Sequence, residues 1–315
     1  MRLLIFLPAL NEELNIQKVI SNLPKELTGI NNIDYLVVDD GSKDATAELA
    51  LISGAKVVSH GINRGVGRAF HSAVQFALEN EVDILVGIDA DGQFDPLESP
   101  ALIAPVLANK ADMVIGNRFA QGMPAHMPIV KFWGNKQIAE IISYVTGQKF
   151  QDVSCGFRAY NREALLRLNL FAEFTYTHES ILSTIFQGLK VLECPINVKY
   201  DPGRRSRVAG SLTKYAVQTS KIILRVLLDY RPIRVFGAMG MILITIGLAF
   251  VVYLLVHYLL TQSFTPYKSF GFIGLGFFTF GLLVLLIALI SDMLNRLRTN
   301  QDKLLYEIRK LRYNK

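Results

Sequence analysis

The chain has 315 residues, of which 51% are hydrophobic, and it carries a formal net charge of +6. Its mean hydropathy of +0.30 is high for a soluble protein. Because the apolar excess lies after Arg234, the composition predicts a soluble domain followed by membrane segments. Two unclustered cysteines argue against a disulfide framework or a zinc site, and no basic-aromatic motif indicates nucleic-acid binding.

Strand and helix patterns alternate along the first part of the chain. The first apolar run is too short for a signal peptide and leads into a turn at Pro8, so it predicts a strand. Helices are expected after Asn11 and Asp44, which are plausible capping residues. The predicted strands are residues 3–7, 35–38, 55–59, 84–89 and 113–116, with a further helix at 65–78. This order predicts an α/β domain with a mostly parallel sheet.

The strand predicted at 84–89 leads into two carboxylates and an amide, namely Asp89, Asp91 and Gln93. Ligands of an open α/β sheet usually lie at the carboxyl ends of its strands. Oxygen donors at this spacing suit Mg²⁺ or Mn²⁺, and Mg²⁺ commonly combines one or two carboxylates with substrate phosphates. The pattern therefore indicates a metal site and a phosphorylated ligand, although a solvated acidic turn would look the same.

Two further polar loops follow predicted strands. Asp39 and Asp40 end the second strand, where a carboxylate can accept a base N–H or a ribose hydroxyl. The turn at 63–68 enters a helix and lacks G-x-G-x-x-G, which argues against a dinucleotide cofactor. Its backbone N–H groups and arginines suit a phosphate or a base. We expect these loops to meet at one edge of the sheet.

The ordered set of motifs resembles the inverting, metal-dependent GT-A glycosyltransferases of family 2. The motifs are Pro8-Ala9-Leu10-Asn11-Glu12, Val37-Val38-Asp39-Asp40-Gly41-Ser42, Asn63-Arg64-Gly65 and Asp89-Ala90-Asp91-Gly92-Gln93. Gly116-Asn117-Arg118-Phe119 and Ser154-Cys155-Gly156-Phe157-Arg158 resemble the branch that includes dolichol-phosphate mannose synthase. With its membrane segments, the chain is similar to bacterial polyisoprenyl-phosphate glycosyltransferases of the GtrB type. The resemblance implies a Rossmann-like GT-A domain that transfers a sugar from a nucleotide sugar to a lipid-linked phosphate.

The resemblance also implies roles for residues at matching positions. It implies nucleotide-sugar binding by Pro8, Leu10, Glu12, Asp39, Asp40, Asn63, Arg68, Asp89, Ala90 and Asp91. It implies metal binding by Asp91, Gln93 and Asp89, and acceptor-phosphate binding by Arg118, Lys131, Arg205, Arg207 and Lys214. Asp91, Arg118 and Asp152 are the implied catalytic residues, with Asp152 orienting the acceptor or acting as a base. Glu179 matches a family carboxylate without an assigned role.

The chain departs from the family pattern in two places. Lys131 stands where relatives often carry arginine, which keeps the charge. In the loop 201–214 the spacing is slightly longer, and Thr213 replaces a serine. Three arginines within its first part predict an anion clamp, or alternatively a basic stripe that contacts anionic lipid head groups. The following segment, 211–232, predicts an interfacial amphipathic helix, or alternatively an ordinary domain helix.

Two nearly uncharged runs, about 235–260 and 270–290, are each long enough to span a bilayer. The short linker between them predicts a transmembrane hairpin within residues 233–293. Lysine and arginine crowd both outer flanks, so the positive-inside rule predicts a cytoplasmic catalytic domain (1–210) and a basic cytoplasmic tail helix (294–315). We expect an inner- or plasma-membrane protein that associates with lipid and forms a homo-oligomer, as a tetramer by resemblance.

The expected reaction is an inverting, Mg²⁺- or Mn²⁺-dependent transfer of a hexose to polyprenyl (undecaprenyl) phosphate. UDP-glucose is the expected donor, and a GDP-mannose-dependent mannose synthase is the alternative. A processive polysaccharide synthase usually carries Gln-x-x-Arg-Trp, whereas the one tryptophan here is Trp133, outside such a motif. A membrane scaffold with an inactive domain is a further alternative, against which the intact Asp89, Asp91 and Gln93 argue.

Overall fold

The computed structural model describes residues 1–169, 176–200, 221, 224, 225, 228 and 231–313. The chain forms two compact units. The catalytic unit contains the described residues up to Tyr200 together with Asp302–Tyr313, and the membrane unit contains those from Lys221 to Gln301.

The catalytic unit is built on a seven-stranded sheet in the order β3-β2-β1-β4-β6-β5-β7. The strands are β1 (Arg2–Ala9), β2 (Asn32–Asp39), β3 (Lys56–Ser59), β4 (Ile84–Gly87), β5 (Met113–Asn117), β6 (Arg158–Asn161) and β7 (Val191–Pro195). All neighbours are parallel except that β6 is antiparallel to β4 and to β5. Because β6 runs in the opposite direction, the residues before it lie at the same edge as those that follow β4 and β5.

Helices cover this sheet and bury its apolar side chains. They are α1 (Ile16–Ser21), α2 (Thr46–Ile52), α3 (Val66–Glu79), α4 (Ser99–Leu107), α5 (Ile129–Thr146), α6 (Arg162–Arg167) and α7 (Thr177–Phe186). Phe70 of α3 lies at the centre of the packing, stacked on Tyr176 with ring centroids 4.0 Å apart and 5.4 Å from the ring of Tyr160. Each such buried side chain contributes about 1.5–3 kcal/mol to folding.

The predicted α/β class and mostly parallel sheet are confirmed, and three local predictions are corrected. Asn11 does not cap the first helix, because α1 begins at Ile16 after Asn15. Instead Asn11 has a positive φ of 52°, and its side-chain oxygen accepts the N–H of Lys43 at 2.9 Å. The strand predicted at 84–89 ends at Gly87. Asp44 is not the N-cap of α2 either, because that position is Ala45, although the Asp44 carboxylate accepts the N–H of Thr46 at 3.1 Å.

The membrane unit contains α8 (Pro232–Thr261) and most of α9 (Lys268–Tyr313), both long and apolar enough to cross a membrane. Glycines let the two helices approach closely: a Cβ on Gly247 would lie 2.6 Å from the carbonyl oxygen of Gly274. A Cβ on Gly240 would likewise lie 3.0 Å from the carbonyl oxygen of Gly281.

Helix α9 is continuous over 46 residues, so the predicted tail helix (294–315) is the end of this helix rather than a separate element. The apolar and charged parts of the sequence share one helical backbone. Of the predicted amphipathic helix (211–232), the described residues Lys221, Leu224, Arg225 and Leu228 are helical, and α8 begins at Pro232. The rest of that prediction lies outside the described residues.

Candidate active site

The carboxylates at the end of β2 hold the two neighbouring turns. Asp39 accepts the N–H of Ser42 at 2.9 Å and the hydroxyl of Ser59 at 2.9 Å. Asp40 accepts the backbone N–H groups of Arg64 at 2.9 Å and Gly65 at 2.8 Å. The predicted meeting of these loops is therefore observed. Asp40 is largely committed to shaping the turn before α3.

Glycine is required in the turn after β2. Gly41 has a φ of +82°, and a Cβ there would lie 2.5 Å from the backbone carbon of Ile62. The turn after β3 thus lies directly against the Asp39-Asp40 turn. His60, which sequence reasoning missed, contacts Asp40 through Nδ1 at 2.8 Å and Ser72 through Nε2 at 2.9 Å.

The end of β1 supplies the first predicted motif beside these turns. Pro8 is paired with Val38, the residue before Asp39, and Leu10 follows the end of the strand. Glu12 is buried; its backbone N–H donates to Thr46 Oγ1 at 2.8 Å, and its carboxylate accepts from Asn15 at 3.0 Å. The motif is therefore anchored to α2.

Two predicted nucleotide-binding residues belong to the turn and helix that follow β3. The side-chain oxygen of Asn63 accepts the N–H of Gly65 at 3.1 Å, which stabilises the turn from within. Arg68 lies in the first turn of α3.

Asp89 and Asp91 follow β4, and their charges interact. Burial, and then the Asp91 carboxylate, raise the pKa of Asp89 to about 6. Positive charges on Arg118, Lys131 and Arg158 oppose that rise. The carboxyl pair therefore lies next to a cationic region, which is an arrangement suited to an anionic ligand carrying a cation.

The backbone around this pair is fixed from both sides. Asp91 Oδ1 accepts the N–H of Gln93 at 3.0 Å, and the Gln93 carbonyl accepts the N–H of Lys199 at 2.9 Å. Ala90 is buried between the two acids. On the opposite side, a Cβ on Gly156 would lie 2.8 Å from the Asp89 carboxylate, so glycine leaves the space that this carboxylate occupies.

The donor set fits a hard divalent cation. Among the described residues no group of three or more His, Cys, Asp or Glu side chains is placed to hold a metal. Asp89 and Asp91 are the two carboxylates that interact here, the Gln93 amide stays a predicted ligand, and further oxygen ligands would come from a substrate diphosphate or water. This combination meets the requirements of Mg²⁺ or Mn²⁺.

Arg118 and Asp152 form a buried ion pair at the other side of the site. Arg118 Nε and Nη2 donate to the two Asp152 oxygens at 2.6 and 2.8 Å. Nη2 also donates to Ser154 Oγ at 2.9 Å, and Nη1 donates to Tyr200 Oη at 3.2 Å. Burial opposes the guanidinium charge, but the Asp152 carboxylate outweighs it and raises the pKa of Arg118.

This geometry defines what the ion pair can do. Most N–H groups of Arg118 are engaged, and Nη1 is the nitrogen with remaining donor capacity. The Asp152 carboxylate accepts from Arg118 with both oxygens, so the arrangement suits an orienting role better than proton abstraction. Ser154 in turn donates to Asn135 of α5 at 2.6 Å, which extends the network.

Lys131 of α5 completes this cationic network, which we define as Arg118, Lys131, Asp152, Ser154 and Tyr200. Its ammonium lies 5.2 Å from the centroid of the Tyr200 ring. Burial, and then the charge of Arg118, lower the pKa of Lys131, while Asp89 and Asp91 act in the opposite direction. Lys131 therefore interacts electrostatically both with the ion pair and with the carboxylates after β4.

Sequence reasoning missed part of the support for the site. Arg158 is fully buried and donates to the carbonyls of Val153, Cys155 and Thr177 and to Ser180 Oγ. It therefore shapes the loop before β6 that carries Asp152 and Gly156. The position of Arg158 in the Ser-Cys-Gly-Phe-Arg motif could have indicated its importance for the site. No sequence motif indicates Tyr200.

The roles of some predicted residues stay predictions. Glu179 lies in the first turn of α7, and its match to a family carboxylate stays without an assigned role. Arg205, Arg207 and Lys214 lie outside the described residues, so their acceptor-phosphate role stays a prediction.

Comparison with known proteins connects this geometry to a family. Residues 4–168 match the family model described as glycosyl transferase family 2. The chain is 29% identical to polyprenol monophosphomannose synthase of Mycolicibacterium smegmatis, over 69% of this chain and 84% of that protein. It is 30% identical to the UDP-N-acetylglucosamine–dolichyl-phosphate N-acetylglucosaminyltransferase of Methanococcus voltae, over 62% and 85%.

A solved structure shares the fold. Glucosyl-3-phosphoglycerate synthase of Mycobacterium tuberculosis, in complex with Mn²⁺, UDP-glucose and phosphoglyceric acid, superposes with a TM-score of 0.55 at 24% identity. The match covers 71% of this chain and 78% of that one. The family match extends over more than half of the chain and includes the turns after β1, β2 and β4. The protein is therefore a glycosyltransferase and belongs to glycosyltransferase family 2.

Proposed function

We propose that the protein transfers a hexosyl group from a nucleotide sugar to the phosphate of polyprenyl phosphate, with inversion at the anomeric carbon. The observation that carries this proposal is the electrostatic interaction of Asp89 with Arg118 and Lys131, and of Asp91 with Lys131. The two carboxylates suit a metal-bound diphosphate, and the two cations suit a second anion. A phosphorylated acceptor meets that second requirement, whereas a neutral sugar hydroxyl does not.

On the donor side, Asp39 and the motif that ends in Glu12 line the place for the nucleoside. Asp40 and Asn63 fix the turn beside it. Asp91, Gln93 and Asp89 would hold Mg²⁺ or Mn²⁺, which neutralises charge on a leaving diphosphate. Gly156 leaves room for the Asp89 carboxylate.

On the acceptor side, the nucleophile is a phosphate oxygen that is already ionised at neutral pH. A strong general base is therefore unnecessary, which agrees with the engagement of both Asp152 oxygens by Arg118. Asp152 orients Arg118, and Arg118 Nη1 and Lys131 position the incoming phosphate by charge. The loop with Arg205 and Arg207 would add further cations.

The proposed donor is UDP-glucose, with GDP-mannose as the alternative. The named relatives use different sugars: the names of the two described above specify mannose and N-acetylglucosamine. The two apolar helices, with basic residues on their outer flanks, support a membrane protein whose catalytic unit faces the cytoplasm. Self-association as a homotetramer is part of this proposal.

A donor panel tests the proposal. Purified full-length protein is incubated with Mn²⁺, undecaprenyl phosphate and labelled UDP-glucose, UDP-galactose, UDP-N-acetylglucosamine or GDP-mannose. Label that enters the organic phase with one donor supports the reaction class and identifies the sugar. A parallel arm replaces the lipid with 3-phosphoglycerate, the kind of soluble acceptor present in the structural relative.

Asp91→Asn tests the metal assignment, and Asp95→Asn is its matched control. Asp95 is an exposed acid in the same loop, and its carboxylate accepts the N–H of Leu97. Lipid product that disappears in Asp91→Asn and persists in Asp95→Asn agrees with the metal assignment. Product with 3-phosphoglycerate alone, or polymer without lipid product, contradicts the acceptor assignment.

A further inference from the structure

A cavity of about 300 Å³ lies between α3 and the last turns of α9, within the catalytic unit. We name it the tail pocket and define it by His71, Val74 and Leu78 of α3 and by Ile308 and Arg312 of α9, with their neighbours. It is lined by residues that have no place in the proposed donor or acceptor sites.

Specific bonds fix the α9 wall of the tail pocket. Asp302 accepts from Asn169 at 2.7 Å, and Tyr306 donates to Glu163 of α6 at 3.3 Å. The guanidinium of Arg309 donates to the carbonyls of Leu166 and Leu168. Several polar anchors thus hold the end of α9 beside α6, so the cavity is a defined feature of this unit.

The lining of the tail pocket is apolar with cations and contains no carboxylate among the described residues. Leu305 is 38% exposed and Ile308 is 58% exposed, so apolar surface remains uncovered beside the cavity. His71, Gln75, Arg309 and Arg312 supply the nitrogen-bearing side chains, and the Gln75 amide donates to the Glu79 carboxylate at 2.9 Å. Such a combination of apolar walls and a few polar groups is typical of small-molecule sites of this size.

The positive charge is not balanced within the lining. Burial, and then the charges of Arg309 and Arg68, lower the pKa of His71. Arg309 donates to neutral carbonyl oxygens, and Asp302, whose charge opposes the effect of burial on the pKa of Arg309, lies outside the lining. In a partly enclosed, apolar setting this excess favours an anion.

We propose that the tail pocket binds a phosphate ester that carries a short apolar group. The head group of an anionic phospholipid and a free glycerol phosphate share this chemistry. His71, Arg309 and Arg312 would contact the phosphate, while the aliphatic side chains of α3 and α9 would contact the carbon chain. This proposal does not depend on the proposed transfer reaction, because it concerns other residues.

Hydrogen–deuterium exchange of the full-length protein localises such binding apart from the active site. The free-ester arm adds glycerol 3-phosphate to protein in neutral detergent, with glycerol as the uncharged control. The lipid arm compares nanodiscs of phosphatidylcholine with nanodiscs that also contain phosphatidylglycerol. We expect slower exchange in peptides covering residues 66–79 and 302–313.

The two arms distinguish the source of the phosphate. Protection by glycerol 3-phosphate shows that a free ester suffices, and protection by phosphatidylglycerol alone assigns the site to a lipid head group. No protection in either arm overturns the proposal. Equal protection by glycerol would show that the cavity does not select an anion, which also overturns it.

Matched variants test the role of charge. Arg312→Gln removes a cation from the lining, and Lys310→Gln removes one from an exposed position on the same helix outside it. We expect about tenfold weaker binding in Arg312→Gln and unchanged binding in Lys310→Gln. His71→Glu, which places a carboxylate in the pocket, should abolish binding. Equal weakening in Arg312→Gln and Lys310→Gln would overturn the proposal.

Discussion

The two halves of the active site are held together by different kinds of bonds. On the donor side, Asp39 and Asp40 accept hydrogen bonds from backbone N–H groups and side chains at most 25 residues away in sequence. On the acceptor side, Arg118 bonds to Asp152, Ser154 and Tyr200, which are 34 to 82 residues away. The bonds of Asp39 and Asp40 therefore join turns that are close in sequence, whereas those of Arg118 join more distant segments.

This difference teaches where each half is vulnerable. The turn around Arg64 is exposed, so water can replace a lost bond there. Arg118 and Asp152 are buried, so the loss of one partner leaves the other charge without compensation. The following predictions test this contrast, beginning with the largest expected effect.

Asp152→Ala should have the largest effect on stability. We expect the free energy of unfolding to fall by about 3–5 kcal/mol, because a buried arginine loses its carboxylate, and transferase activity to be lost. Chemical denaturation measures the change. The control is Glu163→Gln, whose partner Arg167 is partly exposed, with an expected change of about 0.2–1 kcal/mol.

A double substitution separates the structural from the chemical role of this pair. Arg118→Met with Asp152→Leu should recover much of the stability, because neither charge remains buried alone, but not the activity. If Asp152→Ala has the same free energy of unfolding as the unaltered protein, the ion pair does not stabilise the acceptor side.

Asp91→Asn should lower the transfer rate about 10²–10³-fold, since a correctly charged metal ligand contributes several kcal/mol to stabilising a leaving diphosphate. Stability should be unchanged or slightly higher, because the repulsion between Asp91 and Asp89 disappears. Rates measured across Mn²⁺ concentrations, with denaturation in parallel, check both effects. Retained activity at saturating metal would contradict the assigned role.

Asp40→Ala should lower the free energy of unfolding by about 1–3 kcal/mol, less than Asp152→Ala, because the released N–H groups of Arg64 and Gly65 can reach water. Hydrogen exchange should accelerate in the turn before α3. Asp34→Ala in the same strand is the control, since that carboxylate pairs with the exposed side chains of Lys56 and Arg2. An equal loss of unfolding free energy in both variants would contradict the role of Asp40 in holding the turn before α3.

The smallest expected effect is a pH dependence of metal binding. The folded protein raises the pKa of Asp89 from 3.8 to about 6. The ionised Asp89 carboxylate therefore destabilises the metal-free fold above pH 6. This destabilisation decreases as the pH falls from 6 and disappears below 3.8, the pKa of Asp89 in the unfolded chain. Protons compete with the metal, so Mn²⁺ affinity should be constant above pH 7 and fall up to about tenfold per unit below pH 6. Calorimetry between pH 5 and 8 tests this, and a constant affinity would contradict it.

Most of the fold was predictable because its signals are local. Apolar runs ending in polar turns gave the first five strands to within a few residues of their observed bounds. The antiparallel β6 was not predictable, because strand direction depends on which neighbours the strand meets. Asn11 was misassigned as a helix cap because its contact with Lys43 joins segments 32 residues apart.

The candidate site divides in the same way. The motif residues Asp39, Asp89 and Asp91 lie where their strand-end positions predict. The bidentate pairing of Arg118 with Asp152 could not be derived from either motif, because nothing in sequence spacing specifies a side-chain contact between two distant loops. Tyr200 belongs to no motif, and its contact with Arg118 follows from the position of the chain after β7.

The close contact of α8 with α9 has a consequence for how the protein responds to its surroundings. Gly247 and Gly274 bring backbone against backbone, without an ionisable group at the contact. Acidification or added salt therefore leaves this packing unchanged, whereas both alter the charges of the catalytic unit. We expect the packing of α8 against α9 to persist at a pH or salt concentration that abolishes transferase activity. Activity should therefore return when the original pH or salt concentration is restored.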